Sequence, residues 1–196
     1  MHAAHRFSIL VFCGARMGSN PRFGEEVHSL GNEIAKRNWR LVFGGGRVGL
    51  MGRLADGALE QEGQVMGIIP EFLMKLEVAH PDIQQTVITQ TMHQRKQRML
   101  DESHAVVALP GGFGTLDELF EVLTWRQLGL HSRPVCLLNT EGYFDPLLAF
   151  LDRAVKEEFL TLDTRRLLVV FEQLPHLLHY LEQNLNLHDD FIEEKA

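Results

Sequence analysis

The chain has 196 residues, enough for one well-buried core but short for two domains. Its formal net charge of −7 argues against a general nucleic-acid binder, because affinity for a phosphate backbone needs a basic surface. Hydrophobic residues make up 45% and charged residues 23%, as in ordinary globular proteins. We therefore expect a single domain over residues 1–188, followed by an acidic tail at 189–196 that can fray.

The N-terminus and the two cysteines bear on the cellular compartment. No apolar run approaches membrane-spanning length, and the first residues lead into a strand without a signal-peptide pattern. Cys13 and Cys136 lie in or beside apolar runs and lack the spacing of metal ligands or a redox pair. We expect buried, reduced thiols in a cytoplasmic protein that has no membrane partner.

Strand and helix patterns alternate along the chain. Short apolar runs predict strands at 7–13, 41–43, 65–69, 86–88, 105–109, 135–138 and 168–171. Helical spacing predicts a first helix that ends near Arg37, then helices at 50–61, 92–103, 115–128, 144–158 and 174–187. Strands of nearly unbroken apolar character are buried on both faces, as in parallel sheets. The alternation predicts an α/β fold with right-handed crossovers.

Three glycine-rich turns follow predicted strands. They occupy residues 14–21, 44–49 and 110–114, each at the carboxyl end of a strand. In parallel α/β sheets, ligands bind at this edge, where the strand order reverses. We therefore expect the three turns to converge on one nucleotide-sized cleft.

The turn at residues 110–114 is the most informative stretch of the chain. It joins a strand to a helix, so it offers backbone N–H groups and the positive end of a helix dipole to a phosphate. Acidic residues follow one turn inside the helix. Thr115-x-x-Glu118 also satisfies a capping box, in which Thr115 is the N-cap and the Glu118 side chain accepts a hydrogen bond from the Thr115 backbone N–H. The spacing alone leaves both interpretations open.

The turn at residues 44–49 supports a competing function. It formally satisfies G-x-G-x-x-G between a strand and a helix, with Glu71 about 20 residues further on, as in dinucleotide-binding proteins. The pattern follows the second strand instead of the first. A nicotinamide-dependent oxidoreductase is therefore one alternative, and a non-catalytic nucleotide-binding protein is another. None of the ten histidines sits beside a carboxylate or cysteine cluster, so we expect no metal and no cofactor.

Three motifs stand in order along the chain: Gly44-Gly45-Gly46-x-x-Gly49-Leu50-Met51-Gly52, Met92-x-x-Arg95-Lys96-x-x-Met99, and Pro110-Gly111-Gly112-Phe113-Gly114-Thr115-x-x-Glu118. Together they resemble the LONELY GUY (LOG) family of cytokinin riboside 5′-monophosphate phosphoribohydrolases, often mislabelled lysine decarboxylases. The resemblance implies a Rossmann-like doubly wound parallel sheet and a homodimer. It also implies hydrolysis of the N-glycosidic bond of an adenine-type nucleoside 5′-monophosphate, which releases the free base and ribose 5-phosphate.

The resemblance assigns roles to individual residues. Arg95 and Glu118 match the family's catalytic pair. The positions matched to substrate contacts, with two further glycine candidates from the second turn, are Glu77, Lys96, Gly111, Gly112, Phe113, Gly114, Thr115, Leu116, Asp117, Thr124, Gly45 and Gly46. The family usually has Glu-Glu where this chain has Asp117-Glu118, a departure that touches binding more than chemistry. The decarboxylase label has no support, because no motif places a lysine for a pyridoxal Schiff base.

The residues themselves indicate how such a bond could be broken. A carboxylate at Glu118 can stabilise the cationic sugar and orient the attacking water, as in glycoside hydrolysis. Arg95 stays protonated, so its expected contribution is electrostatic. Taken alone, Arg95-Lys96 would be interpreted as a solvated helix face flanked by core methionines. The presence of the other two motifs favours a role for these residues in the active site.

Overall fold

The computed structural model describes residues 7–74 and 79–193. Its strands are β1 (Ser8–Phe12), β2 (Arg40–Phe43), β3 (Val65–Pro70), β4 (Gln85–Thr89), β5 (Ala105–Ala108), β6 (Val135–Leu138) and β7 (Leu168–Phe171). Its helices are α1 (Pro21–Lys36), α2 (Gly49–Leu59), α3 (Glu71–Met74), α4 (Met92–Asp101), α5 (Phe113–Gln127), α6 (Asp145–Lys156), α7 (Leu162–Arg165) and α8 (Leu174–Glu193).

The strands form one parallel sheet in the order β4-β3-β2-β1-β5-β6-β7. The chain moves outward from β1 to β4, returns to place β5 on the other side of β1, and moves outward again to β7. The strand order therefore reverses between β1 and β5, which is the position where such sheets bind ligands. This topology confirms the predicted Rossmann-like doubly wound sheet.

Two apolar clusters cover the two faces of the sheet. Ile9 and Val11 of β1 belong to the cluster that includes the buried faces of α1, α2 and α8. Leu10 and Phe12 belong to the other cluster, with side chains from α4, α5 and α6. Alternate side chains of one strand thus enter opposite cores, which explains why the predicted strands are almost unbroken apolar runs.

Helices α1 and α2 cross very closely. A Cβ added at Gly31 would lie 2.2 Å from the Leu54 carbonyl oxygen, and one added at Gly57 would lie 2.2 Å from the His28 carbonyl oxygen. Only glycine permits this approach on each helix. The crossing fixes the positions of α1 and α2. These helices follow β1 and β2, so they start at the ligand-binding edge of the sheet.

Some boundaries differ from the predictions. The helix predicted at 115–128 begins two residues earlier, because Gly112, with extended backbone (φ −99°, ψ −151°), serves as its N-cap. Thr115 is therefore the third residue of α5, and the interpretation of Thr115 and Glu118 as a capping box is wrong. Helix α8 continues to Glu193, past the predicted end at 187, because no glycine or proline interrupts it. The single-turn helices α3 and α7 are too short to produce helical periodicity.

No helix in the described part of the chain is long and apolar enough to cross a membrane. The two cysteines, Cys13 and Cys136, are buried and free, as predicted.

Candidate active site

A cleft of about 470 Å³ opens at the carboxyl ends of β1 and β5. The residues that line it come from the β1–α1 loop, the starts of α1 and α2, helix α4, the β5–α5 turn with the first turns of α5, and the turn before α6. They are residues 13–18, Phe23, Leu50, Met51, Arg95, residues 110–112, Gly114, Thr115, Glu118 and Tyr143. The cleft thus lies at the reversal of strand order, as the sequence predicts.

Backbone hydrogen bonds join the three glycine-rich turns. The Gly14 N–H donates to the Pro110 carbonyl oxygen at 3.0 Å, and the Leu50 N–H donates to the Gly14 carbonyl oxygen at 3.0 Å. Gly49 has a φ of +64°, and a Cβ there would lie 2.3 Å from the Ala15 carbonyl carbon. The first and third turns line the cleft, whereas the second supports it from behind. The glycines of the G-x-G-x-x-G pattern therefore have packing roles.

The start of α5 presents open backbone to the cleft. Its N-cap, Gly112, makes no side-chain capping bond, and a Cβ added at Gly112 or Gly114 would meet no atom of the described residues within 4 Å. At Gly111, by contrast, an added Cβ would lie 2.1 Å from Oγ1 of the buried Thr115. The turn is therefore packed on its helix side and open on its other side. The first N–H groups of this 15-residue helix have no acceptor within the helix, and together with the positive end of the helix dipole they favour an anion here.

Arg95 and Glu118 form a buried ion pair in the cleft. Nη2 of Arg95 lies 3.6 Å from Oε1 of Glu118, and the side chains are only 6% and 11% exposed. Desolvation makes such a pair a weak source of stability, so its burial in a cleft is better explained by chemistry than by folding.

Two backbone carbonyl groups hold the Arg95 guanidinium. Its Nε donates to the Ile68 carbonyl oxygen at 3.1 Å, and its Nη2 donates to the Gly44 carbonyl oxygen at 3.4 Å. A Cβ at Gly44 would lie 2.3 Å from Nη2. Because Gly44 has no Cβ, it leaves the space into which the guanidinium fits.

The buried face of α4 carries Arg95 into the cleft. Thr91 caps this helix by accepting a hydrogen bond from the Gln94 N–H, and Arg95 lies on the same face as the buried Met99. The interpretation of Arg95 as part of a solvated helix face is therefore wrong. Periodicity alone places an arginine outside, because it does not detect a carbonyl-lined recess.

Lys96 makes a second connection between α4 and α5. Its Nζ lies 3.1 Å from Asp117 Oδ2 and 2.9 Å from Glu121 Oε2. Burial lowers the pKa of Lys96, but the neighbouring carboxylates of Glu121 and Asp117 together raise it by more, so the net shift is upward. The Lys96–Asp117 pair therefore runs beside the Arg95–Glu118 pair and fixes the helices that carry the buried charges.

Cys13 contributes a thiol to the wall of the cleft. Burial and, to a smaller extent, the negative charge of Glu118 raise its pKa far above the ordinary range of a thiol. Burial likewise raises the pKa of Cys136 to about 12. Both residues therefore remain protonated and unreactive as nucleophiles.

The remaining predicted contact residues lie around the cleft. Phe113 is 94% exposed at the start of α5, and the half-buried Leu116 packs against the second core cluster. Thr124 is exposed and donates its hydroxyl hydrogen to the Phe120 carbonyl oxygen at 2.7 Å. None of these three lines the cleft in this structure.

Two glycines and one acid complete the predicted set. Gly45, with a φ of +77°, lies against Gly67 of β3, and Gly46 bridges to Ala79. These two glycines lie behind the cleft. Glu77 falls outside the described residues.

Some lining residues were not singled out from the sequence. Arg16 and Met17 belong to a turn that was predicted to reach the cleft, but nothing in their pattern distinguished them. Phe23 and Tyr143 come from α1 and from the turn before α6, and no motif marked either one. Among the described residues, no group of three or more His, Cys, Asp or Glu side chains is arranged to hold a metal ion.

Comparison with known proteins decides the family. The family model described as "Possible lysine decarboxylase" matches residues 51–181. The chain is 42% identical over 186 residues to the cytokinin riboside 5′-monophosphate phosphoribohydrolase LOG2 of Arabidopsis thaliana, covering 95% of this chain and 87% of that protein. It is 43% identical to the probable phosphoribohydrolase LOGL1 of Oryza sativa subsp. japonica, covering 93% and 82%. The chain belongs to the LOG family.

Solved structures share the fold of this LOG-family protein. The molybdenum cofactor binding protein of Rippkaea orientalis superimposes with a TM-score of 0.71, at 23% identity, over 93% of this chain and 99% of that one. The Moco carrier protein of Chlamydomonas reinhardtii gives a TM-score of 0.68 at 22% identity, over 91% and 97%. At this identity the likeness concerns the fold alone.

Proposed function

We propose that this protein hydrolyses the N-glycosidic bond of an adenine-type nucleoside 5′-monophosphate and releases the free base and ribose 5-phosphate. The observation that carries the proposal is the buried Arg95–Glu118 pair, 3.6 Å apart, in a cleft bordered by the open start of α5. The curated relatives, 42–43% identical over more than nine-tenths of this chain, are named for this activity. The resemblance of the three motifs to the family supports Arg95 and Glu118 as the catalytic pair.

Glu118 supplies the negative charge that the reaction needs. Cleavage of the C1′–N bond builds positive charge on the ribose, which a carboxylate beside C1′ stabilises. The same carboxylate can orient water for attack at C1′. The bond from water oxygen to C1′ forms as the C1′–N bond breaks. The base leaves with the bonding electrons and takes up a proton, which balances the proton that the attacking water loses. Near-complete burial of Glu118 strengthens its electrostatic effect.

Arg95 acts through its fixed charge. A guanidinium does not lose a proton in proteins, so Arg95 is no general acid. Its bonds to the carbonyl oxygens of Ile68 and Gly44 hold it still, which lets it orient Glu118 and stabilise developing negative charge without reorganisation.

The open start of α5 is proposed to hold the 5′-phosphate. Gly111, Gly112 and Gly114 allow close approach of the phosphate, and the helix dipole favours its charge. Glu118 lies on the same helix, so a phosphate bound at the first turn places the ribose within reach of the carboxylate. The roles predicted for Lys96, Phe113 and the other matched contact residues remain part of this proposal.

Incubation with AMP and with an N6-prenylated AMP, followed by chromatography of the products, tests the activity. We expect free base and ribose 5-phosphate from at least one of them, and far slower release of base from the matching nucleoside. Absence of base from either nucleotide at high enzyme concentration contradicts the proposed reaction. Equal rates for AMP and adenosine contradict the phosphate role of α5.

The assembly and the compartment also belong to the proposal. We infer a cytoplasmic homodimer in which residues 1–188 form one catalytic domain that acts on mononucleotides instead of nucleic acids. Phe113, Leu128 and Leu130, at the two ends of α5, are 94%, 66% and 69% exposed. In the proposed homodimer, the second subunit covers these exposed apolar side chains.

The alternative chemistries lack a suitable residue. A pyridoxal-dependent decarboxylase needs a lysine in the cleft, and none of the described lining residues is a lysine. In the oxidoreductase hypothesis, Glu71 would bind a ribose, but it is exposed on α3 and does not line the cleft.

A further inference from the structure

We propose that Tyr143 is a positioning residue that locks the orientation of the Gly111–Gly112 peptide and so keeps the turn before α5 ready to bind a phosphate. The inference rests on the proposed function, because it concerns how the same cleft recognises the 5′-phosphate of its substrate. It assigns a role to a residue that no motif of the chain marks.

Tyr143 reaches the turn from a different part of the sheet. It follows β6, and its hydroxyl group donates a hydrogen bond to the Gly111 carbonyl oxygen at 2.7 Å. Its ring makes edge-to-face contacts with Phe23 of α1, at 5.6 Å, and with Phe144, at 4.9 Å. The ring is therefore held from two sides while the hydroxyl group contacts the turn.

The Gly111–Gly112 peptide is the part of the turn that most needs such a restraint. A peptide flip rotates ψ of the first residue and φ of the second, and neither glycine has a Cβ to oppose the rotation. Because the peptide is planar, the Gly111 carbonyl and the Gly112 N–H point in opposite directions and exchange places when it flips. A flip would therefore present an oxygen where the turn had presented a donor.

The Gly112 N–H is a donor that an anion can use. Gly112 is the N-cap of α5, and its carbonyl oxygen accepts the bond from the Leu116 N–H at 3.1 Å. The N–H of an N-cap residue has no acceptor within its helix. With Tyr143 holding the Gly111 carbonyl, this N–H keeps one direction, and a phosphate oxygen meets a donor instead of a carbonyl oxygen.

Equilibrium binding of ribose 5-phosphate and of adenine to the purified protein tests the inference without turnover. Tyr143→Phe removes the hydroxyl group and keeps the ring. We expect ribose 5-phosphate to bind about 3- to 10-fold more weakly, the range of one lost hydrogen bond, with adenine binding unchanged. Tyr180→Phe is the matched control, because Tyr180 is the chain's other tyrosine and its ring packs on Phe171, away from the cleft.

A double-mutant cycle with Gly112→Ala tests the flip itself. In the described part of the chain, an added Cβ at Gly112 meets no atom within 4 Å. A flipped peptide would need positive φ there, which alanine resists. Tyr143→Phe should therefore weaken ribose 5-phosphate binding less in the Gly112→Ala background than in the wild-type background. A direct effect of the new methyl group on the ligand cancels in this comparison.

Four results would overturn the inference. They are unchanged affinity in Tyr143→Phe, equal losses for adenine and ribose 5-phosphate, equal effects in both cycle backgrounds, and no binding of ribose 5-phosphate by the wild-type protein. Steady-state kinetics with AMP add a second measurement, in which Tyr143→Phe should raise KM more than it lowers kcat. Absence of base release from the wild-type protein would contradict the proposed reaction, whereas the binding comparison would still decide the role of Tyr143.

Discussion

At the scale of single residues, the site depends on a buried charge and on the space left for it. Arg95 enters a recess formed by the carbonyl oxygens of Ile68 and Gly44, and the missing Cβ of Gly44 provides the room. Glu118 balances the charge from the opposite wall. A substitution that alters only a few atoms of one of these residues can test its proposed role separately from the others.

Glu118→Gln tests the need for a negative charge. The change keeps the shape of the side chain, and Arg95 keeps its two carbonyl acceptors, so the variant should stay folded. We expect turnover of the nucleotide to fall on the order of 10²-fold or more, measured by release of base. Arg95→Lys should also be severely impaired, because an ammonium does not reproduce the planar fork that reaches both carbonyl groups. Near-normal turnover in Glu118→Gln would reopen the search for the catalytic carboxylate.

Gly44→Ala tests the recess without removing a charged group. The new Cβ would lie 2.3 Å from Nη2 of Arg95, so the guanidinium must move out of its recess and change its position relative to Glu118. We expect kcat to fall about 10- to 100-fold, since displacement of about 1 Å in a catalytic site can cost a factor of that size. Thermal unfolding should show a smaller loss, about 1–3 kcal/mol, which is typical of overpacking. Unchanged kcat would mean that the position of Arg95 does not limit the reaction.

At the scale of elements, pairs of helices fix the geometry of the cleft. Two ion pairs join helices α4 and α5: the buried Arg95–Glu118 pair in the cleft and the more exposed Lys96–Asp117 pair. Helices α1 and α2 are joined by the close crossing at Gly31. The loops that line the cleft are positioned by these contacts more than by their own sequences.

Gly31→Ala should destabilise the whole fold. Its Cβ would lie 2.2 Å from the Leu54 carbonyl oxygen, a backbone atom that can move only if α2 moves. We expect the free energy of unfolding in urea to fall by about 2 kcal/mol or more, although alanine is intrinsically the better helix former. Ser29→Ala, at an exposed position of the same helix, is the matched control and should leave it nearly unchanged. Equal stability of the two variants would show that the crossing can widen at little cost.

At the scale of the whole molecule, the monomer leaves large apolar side chains exposed at both ends of α5. We expect light scattering to give a mass near twice the 22.3 kDa of one chain. Leu128→Glu combined with Leu130→Glu should lower this mass, because charges at a contact between subunits are costly to desolvate. A stable monomer of the wild-type protein at micromolar concentration would contradict the homodimer.

The sequence by itself determined the fold class and the edge of the sheet that carries the site. Nearly unbroken apolar strands between amphipathic helices require a sheet buried on both faces, and glycine-rich turns after the strands mark its carboxyl edge. These patterns are local, so they can be recognised without a structure. The three motifs, in order, also led to the family, and they are the basis of the proposal that Arg95 and Glu118 form the catalytic pair.

Only the tertiary structure decided how the pieces meet. The burial of Arg95 depends on carbonyl oxygens of Gly44 and Ile68, which are 51 and 27 residues away in the chain. The start of α5 at Phe113, the packing role of Gly49 and the reach of Tyr143 to Gly111 likewise depend on contacts between distant segments. Periodicity and spacing report which face a residue occupies on its own element. They carry no information on the atoms that another element brings to that face, and those atoms build this site.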